Sequence, residues 1–254
     1  MSGARDAGSS RWRIGGALSV AVLIALGSSV AHPALRAQAA RTVGAAPDIS
    51  GVWDSTARSH PTNSERVPWG KDNFPDLNER GLAFMKVFDE AISPKYDCQP
   101  ATPPAIEFDP YYLQISQASD RVVFTYEKDD QVRTAWLDGR QPTVKDIGIQ
   151  GFSTGRYENN ALVVVTDHFL FDITGFDDYN GIPSSPQKKV TERYWREGEA
   201  LNFTVTVDDP MFLRKPASYA ARYLPAPKGY KLERFDCDVE TSKIMLKFLV
   251  PKYK

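Results

Sequence analysis

The sequence predicts an all-β fold: an antiparallel sheet of about eight or nine strands, closed into a barrel or folded into a sandwich, with one short helix near the N-terminus. Three observations carry this. Strand-length runs recur from Pro100 onward, separated by turn chemistry. Several alternate with a period of two: Val122, Phe124 and Tyr126 share one face, and Leu201, Phe203, Val205 and Val207 share another, opposite Asn202, Thr204 and Thr206. Alternation of that kind marks a sheet with one dry face and one wet face. Finally, helical spacing is convincing in only one place, so nothing supplies the helical crossovers of a parallel sheet.

The first 39 residues stand apart from that pattern. Arg5, Arg11 and Arg13 give a basic start, residues 14–30 are apolar and uncharged, and Ala37-Gln38-Ala39 has the small-x-small form of a signal-peptidase site. Together they predict a secretory signal peptide cut after Ala39. A retained membrane anchor is the competing reading, but the apolar run falls short of the ~20 residues of a typical span. Residues 40–47 then form a lead-in, and residues 48–254 one domain.

Within the domain, DISGVW at residues 48–53 reads as a turn entering a strand, and the polar, proline-containing stretch 60–75 as a loop. A helix is expected over 78–91, with Leu82, Met85 and Phe88 as its apolar stripe, Asn78 or Asp76 as its cap, and Pro94 beyond its end. Strands are expected over 111–117, 121–127, 131–137, 151–157, 161–169, 189–196, 201–208 and 230–237, with 244–250 as a final one. Lys128-Asp129-Asp130 suits a hairpin between the second and third of these, and Asp138-Gly139 a turn after it.

Composition excludes several functions. Removing residues 1–39 takes away four Arg and one Asp, so the formal charge of −1 becomes −4. A mildly acidic chain without a basic stripe has no footprint for nucleic acid. After signal cleavage no later segment approaches spanning length, so no membrane partner is expected. Only His60 and His168 remain, which excludes a His-rich metal site, and Asp177-Asp178 lacks the spacing of a calcium loop. No P-loop or G-x-G-x-x-G occurs, and NTPase, dinucleotide and serine-hydrolase readings are set aside; no cofactor is expected. Cys98 and Cys237 have no neighbouring ligands at metal spacing, and export favours a disulfide between them.

The chain resembles a poorly characterised family of exported bacterial proteins with lipocalin-like, calycin-type β-barrels. The resemblance rests on ISGVW, CQPATPPAI at 98–106, VRTAWLDGR at 132–140, GRYENNALVVVT at 155–166, GIPSSPQKKVTERYW at 181–195, VTVDDPMFLRKP at 205–216 and ERFDCDVE at 233–240. It implies a lipocalin-like barrel and export, and both cysteines fall within matching pieces. The sequence departs from the family at Tyr157, where Trp is usual, at Asn159-Asn160 for Gly-Asp, and at Val165 for an Asp. Any role of that Asp does not carry over.

Candidate chemistry gathers around VVVTDHFLFD at 163–172. In a regular strand Asp167 and His168 face opposite ways, so they meet only if a bulge or turn intervenes. Asp172 could return to His168 if the chain bends, and imidazole beside carboxylate is a competent general base. A surface histidine at a strand end is the competing reading. Arg133 lies out of phase with Val132, Thr134 and Trp136, and Glu127, ending the preceding strand, could pair with it. Inside a barrel that pair would anchor a ligand carboxylate or carbonyl; outside, it would be a weak surface bridge. Arg156 with Glu158, and Glu192, Tyr194 and Arg196, pose the same choice, an outer-face ladder being the commoner meaning.

The expected catalytic set is therefore His168, Asp172, Tyr126, Arg133 and Glu127, and the expected ligand-lining set Tyr112, Phe124, Trp136, Phe152, Tyr157 and Tyr194. The expectation is a barrel with a cavity open at one end, recognising a small, partly apolar organic molecule. Elimination of metal, nucleotide and nucleophile chemistry leans toward a cofactor-independent lyase or isomerase. A non-catalytic periplasmic carrier or sensor, and a structural envelope protein with a solid barrel, are the alternatives.

Overall fold

The computed structural model describes residues 46–55, 74–178, 180–235 and 237–249. The expected signal peptide, most of the lead-in, His60 and nearly all of the 60–75 loop lie outside these residues.

Eleven strands are present among the described residues: β1 (Gly51–Asp54), β2 (Tyr112–Gln117), β3 (Arg121–Tyr126), β4 (Val132–Trp136), β5 (Phe152–Glu158), β6 (Ala161–Asp167), β7 (Asp172–Asp177), β8 (Ile182–Ser184), β9 (Lys189–Glu197), β10 (Ala200–Asp208) and β11 (Ala217–Pro225). Nine close into a barrel in the order β1-β11-β10-β9-β6-β5-β4-β3-β2, while β7 and β8 form a separate two-stranded sheet. β1 closes the ring by pairing with both β2 and β11. Closure leaves the nine-stranded barrel sheet without a free edge strand.

The sheet is antiparallel except at β4 and β5, which pair in parallel. The cause is the connection: residues 137–151 must carry the chain back along the barrel before β5 begins, whereas a tight turn would have produced a hairpin. The other hairpins follow local chemistry. Between β3 and β4, Asp129 and Asp130 take positive φ, which Asp tolerates better than most residues.

The period-two pattern now has a direction. Leu113 and Ile115, Val122 and Phe124, Leu162 and Val164, and Leu201, Phe203, Val205 and Val207 are buried in one core. Trp53 joins it from β1, and its indole N–H donates to the Ile49 carbonyl at 3.0 Å.

α1 spans Glu79–Val87, with the Asn78 side chain accepting from the amides of Arg80 and Gly81. Its contact face differs from the expected stripe. Leu82 is 42% exposed, and Gly81 is buried where a Cβ would come within 2.8 Å of the Phe212 carbonyl. Phe88, just past the helix, is buried as expected. Among the described residues no helix is long and apolar enough to cross a membrane.

The C-terminal region corrects two expectations. Residues 231–235 run as irregular chain rather than as a strand, and the expected last strand is helical: α2 (Val239–Ile244) and a 3₁₀ turn (Met245–Phe248). The last strand among the described residues is β11, whose sequence ASYAARYLP buries only Tyr219 and Tyr223 and so carries a faint alternation. Cys98 and Cys237 are bonded, with Cα atoms 5.8 Å apart and a sequence separation of 139.

Candidate functional site

β4 turns Arg133 and Ala135 inward and leaves Val132 exposed. Arg133 is thus a cation inside the barrel, 4% exposed. An unpaired buried charge would be prohibitively costly, so its partners are obligatory. Glu192 supplies the main one. It lies in phase with Val190 and Tyr194 on β9, and all three are buried. Arg133 binds it with two prongs, Nη2 to Oε1 at 2.6 Å and Nη1 to Oε2. This is the geometry in which guanidinium–carboxylate pairs are strongest.

Glu107 reaches the same interior from the turn Ala105–Phe108 ahead of β2. Its Oε1 accepts from Arg133 Nη2 at 3.0 Å and from the Tyr126 hydroxyl at 3.3 Å. The Tyr126 hydroxyl in turn accepts from Arg133 Nη2 at 2.9 Å. The Tyr194 hydroxyl donates to Glu192, and the Tyr223 hydroxyl to the Glu107 backbone carbonyl. Arg133 also lies 4.9 Å from the Phe124 ring centroid, a cation–π contact.

The two carboxyl groups are driven apart. Burial, together with the negative Glu192 beside it, pushes Glu107 well above the usual carboxylate range, against the pull of Arg133. Burial acts the same way on Glu192, but the charge and hydrogen bonds of Arg133, with Tyr194, outweigh it and hold it below its ordinary value. Burial raises the phenols of Tyr126 and Tyr194 well above theirs. The hub thus sets a carboxyl group pushed toward its neutral form beside one held toward its ionised form, both against one guanidinium. Two of its polar atoms, Arg133 Nε and Glu107 Oε2, are buried without a hydrogen-bond partner.

The expected wide cavity is corrected. The crevice beside the hub, lined by Ile106, Asp109, Tyr112, Tyr126, Lys128 and Tyr223 among others, has about 10 Å³, room for one water. A second space, under Lys95, Lys128, Asp172 and Asp178, has about 20 Å³. Two larger spaces, about 420 and 380 Å³, are open grooves on the exterior. The rings of Phe124, Tyr194, Phe203 and Tyr223 stack through the interior at centroid spacings of 4.9–5.5 Å.

The expected residues divide sharply. Tyr126 and Arg133 belong to the hub. Glu127 does not meet Arg133: its carboxylate accepts the Tyr112 amide at 3.3 Å, the Glu233 amide at 2.9 Å and the Tyr230 hydroxyl. His168 has φ +60°, so the strand geometry breaks there and its Nδ1 lies 2.6 Å from Asp167 Oδ1. Both side chains are partly exposed, at 34% and 42%. Asp172 instead takes the amide and hydroxyl of Thr174, so the expected His168–Asp172 pair is replaced by His168–Asp167.

Among the ring residues, Phe124 and Tyr194 face the hub and Tyr112 lines the crevice. Tyr157 packs on the core, its hydroxyl 2.7 Å from Gln117 Nε2. Trp136 is on the outer face, with Arg140 3.5 Å above its ring. Phe152 precedes the inward Ser153 and so points away from the interior. Arg156 and Glu158 form an exposed pair, and Arg196 is exposed too.

The serine-hydrolase reading was set aside although the G-x-S-x-G spacing of a nucleophile elbow does occur, at Gly151-Phe152-Ser153-Thr154-Gly155. Ser153 lies within β5 rather than at a strand-to-helix turn, and its hydroxyl bonds Thr166 at 2.8 Å. The spacing is therefore incidental to a strand.

Glu107 and Glu192 were missing from the expected site. Glu192 was legible, since a Glu within an alternating apolar row must face the core. Glu107 was not, because a single helical turn has no period to read.

No family model matches the chain, and no curated protein does. Among solved structures, the crystal structure of apo lipid binding protein 8 (LBP-8) of Caenorhabditis elegans is similar over 70% of this chain and 94% of that one, at 11% identity and a TM-score of 0.32. At that level the likeness bears on neither family nor ligand.

Proposed function

We propose that the protein is an exported barrel that recognises a small, partly apolar organic molecule through a carbonyl or carboxylate oxygen offered to the Arg133 hub. The observation that carries this is the Arg133 Nε–H, a buried donor without a hydrogen-bond partner. Beside it, the Glu107 carboxyl, which burial pushes toward its neutral form, shares its proton with Glu192. A buried donor without an acceptor is costly to keep, at about 1–3 kcal/mol. A ligand oxygen would answer it, and the rings of Phe124 and Tyr194 would have to part to take its apolar portion, since the crevice at rest has room for one water.

Export is supported by the N-terminal pattern and by the Cys98–Cys237 bond, which suits an oxidising compartment. Untargeted mass spectrometry of small molecules released from the purified chain tests the proposal. A retained carbonyl or carboxylate compound, absent from an Arg133→Met preparation, is the expected result. Compounds retained equally by both, or by neither, would overturn it.

One observation favours a catalytic version, a cofactor-independent lyase or isomerase. The hub pairs a carboxyl pushed toward its neutral form with one held toward its ionised form, the split that acid–base enzymes exploit. In that version the ionised Glu192 takes a proton from the carbon beside the ligand carbonyl, the C–H electron pair moves onto the carbonyl oxygen, and Arg133 and Glu107 steady the negative charge there. His168, on the rim with Asp167, takes no part. A carrier or sensor would use the same donors without turnover.

A further inference from the structure

The closed interior raises the question of how a molecule would reach the hub, and the segment after β11 answers it. Residues 226–235 leave the barrel at Pro225, turn through Gly229 at φ +84°, and run back over the ends of β2 and β3. None of these ten residues is buried. They contribute no strand to the barrel and contact it at few points. Tyr230 stacks on Tyr112 with centroids 4.0 Å apart, and Phe235 meets Tyr111 edge-on at 5.6 Å. Arg234 pairs with Asp130 at 3.3 Å. The polar hold is shared: the Glu127 carboxylate accepts both the Tyr230 hydroxyl and the Glu233 amide, Asp130 also accepts the Phe235 amide at 3.3 Å, and the Ala226 amide donates to the Val52 carbonyl at 2.9 Å.

The two rings that the segment covers, Tyr111 and Tyr112, line the crevice that continues to Tyr126. Tyr126 is hydrogen-bonded to Arg133. The segment thus packs on two rings that line this crevice, and its residues Leu232, Glu233 and Arg234 also flank the open groove that reaches Tyr126 from outside. Its far end is fixed, because Cys237 is bonded to Cys98. Lys243 of α2 adds an ion pair to Asp97 at 2.7 Å. A chain anchored at Pro225 and at Cys237, and held between them by ring contacts and by the carboxylates of Glu127 and Asp130, can lift without being lost.

We propose that residues 226–235 form a lid latched on Glu127, which opens between Tyr111 and Tyr112 to admit ligand to the Arg133 hub. This inference rests on the recognition reading above. Opening breaks the two Glu127 hydrogen bonds and unstacks Tyr230 from Tyr112, while the disulfide keeps the lid in register for closing.

The test uses the full chain with its disulfide intact, a Glu127→Ala variant and a Tyr230→Phe variant. Tyr230→Phe keeps the ring stack and removes only the latching hydroxyl, so it guards against a folding defect at Glu127. Hydrogen–deuterium exchange reads the lid, and stopped-flow uptake of 1-anilinonaphthalene-8-sulfonate, an anionic apolar probe, reads access. Losing a hydrogen bond to a charged group should speed exchange across 230–235 roughly tenfold or more, with β9 and β10 unchanged. Probe uptake should accelerate in the same order of variants. Unchanged exchange in both variants overturns the latch. Faster exchange with unaltered, saturable uptake overturns the lid as the route and leaves the hub reading standing. Faster exchange without saturable uptake in any of the three proteins overturns recognition in the interior, and the lid's purpose with it.

Discussion

Arg133 and Glu192, 59 positions apart in sequence, meet in a two-pronged ion pair inside the barrel, with Arg133 Nη2 2.6 Å from Glu192 Oε1. β4 and β9 are not neighbours in the ring, so the pair spans the interior rather than a strand ladder. It fixes which faces of the two strands point inward, because a one-residue slip in either would carry a charge to the wrong side.

Removing one partner should therefore cost far more than removing both. Arg133→Met leaves Glu192 buried without its cation and should lower unfolding stability by about 3–5 kcal/mol in urea titrations. Arg133→Met with Glu192→Leu should recover a good part of that loss. If the double variant is as unstable as the single one, the ion pair is not what makes the single variant costly.

Lys188 gives the barrel a pH signature. It is 1% exposed, and its ammonium donates to the Pro103 carbonyl at 2.8 Å and the Gly175 carbonyl at 3.0 Å, with no carboxylate among its hydrogen-bond partners. Burial lowers its pKa from 10.5 to about 8, although Asp172 and Asp209 pull the other way. Between those two values the unfolded chain binds more protons than the folded one, so this residue makes stability rise with pH across the window. Below pH 8 both states are charged and the slope vanishes. Lys188→Met should flatten the profile between pH 8 and 10 relative to the parent; parallel profiles would mean that Lys188 titrates normally.

Gly151 and Gly139 both have positive φ, but only Gly151 is crowded: a Cβ there would sit 2.5 Å from the Asp167 carbonyl and 2.9 Å from the Phe169 ring, while Gly139 has nothing within 4 Å. Gly139→Ala should cost only the backbone strain, about 1–2 kcal/mol. Gly151→Ala should cost more and also disturb the His168–Asp167 contact, visible as shifted imidazole NMR signals. Equal melting temperatures for the two variants would refute the crowding.

The disulfide closes a loop of 139 positions. Replacing both cysteines with Ser should remove about 4–5 kcal/mol in the chain-entropy model. Most of the loss should come from the denatured state, so spectra of the folded variant should match those of the parent.

The barrel was legible in the sequence because its strands alternate. Val122, Phe124 and Tyr126, or Leu201 to Val207, could be assigned a buried face from spacing alone. β11 was not legible, since its inward positions include Ala221 between two tyrosines and its outward ones mix small and charged residues. Residues 230–237 carried enough apolar character to resemble a strand, but that character serves ring contacts on top of the barrel. The parallel pair depended on where a 15-residue connection returns, which no local pattern encodes. At the site, Arg133 stood out as a charge out of phase with its neighbours. Glu107 owes its place to tertiary structure, and His168 drew notice through scarcity rather than through position.

The most direct measurement on the hub is ¹³C NMR of the glutamate side-chain carboxyls across pH 4 to 9, with a Glu107→Gln protein to assign the decisive signal. The barrel described here predicts one glutamate that titrates well above the ordinary carboxylate range and disappears in that variant, beside a second, Glu192, that titrates below its ordinary value. If every glutamate carboxyl is ionised by pH 6, the neutral donor at Glu107 does not exist, and recognition of a ligand oxygen at this hub is contradicted.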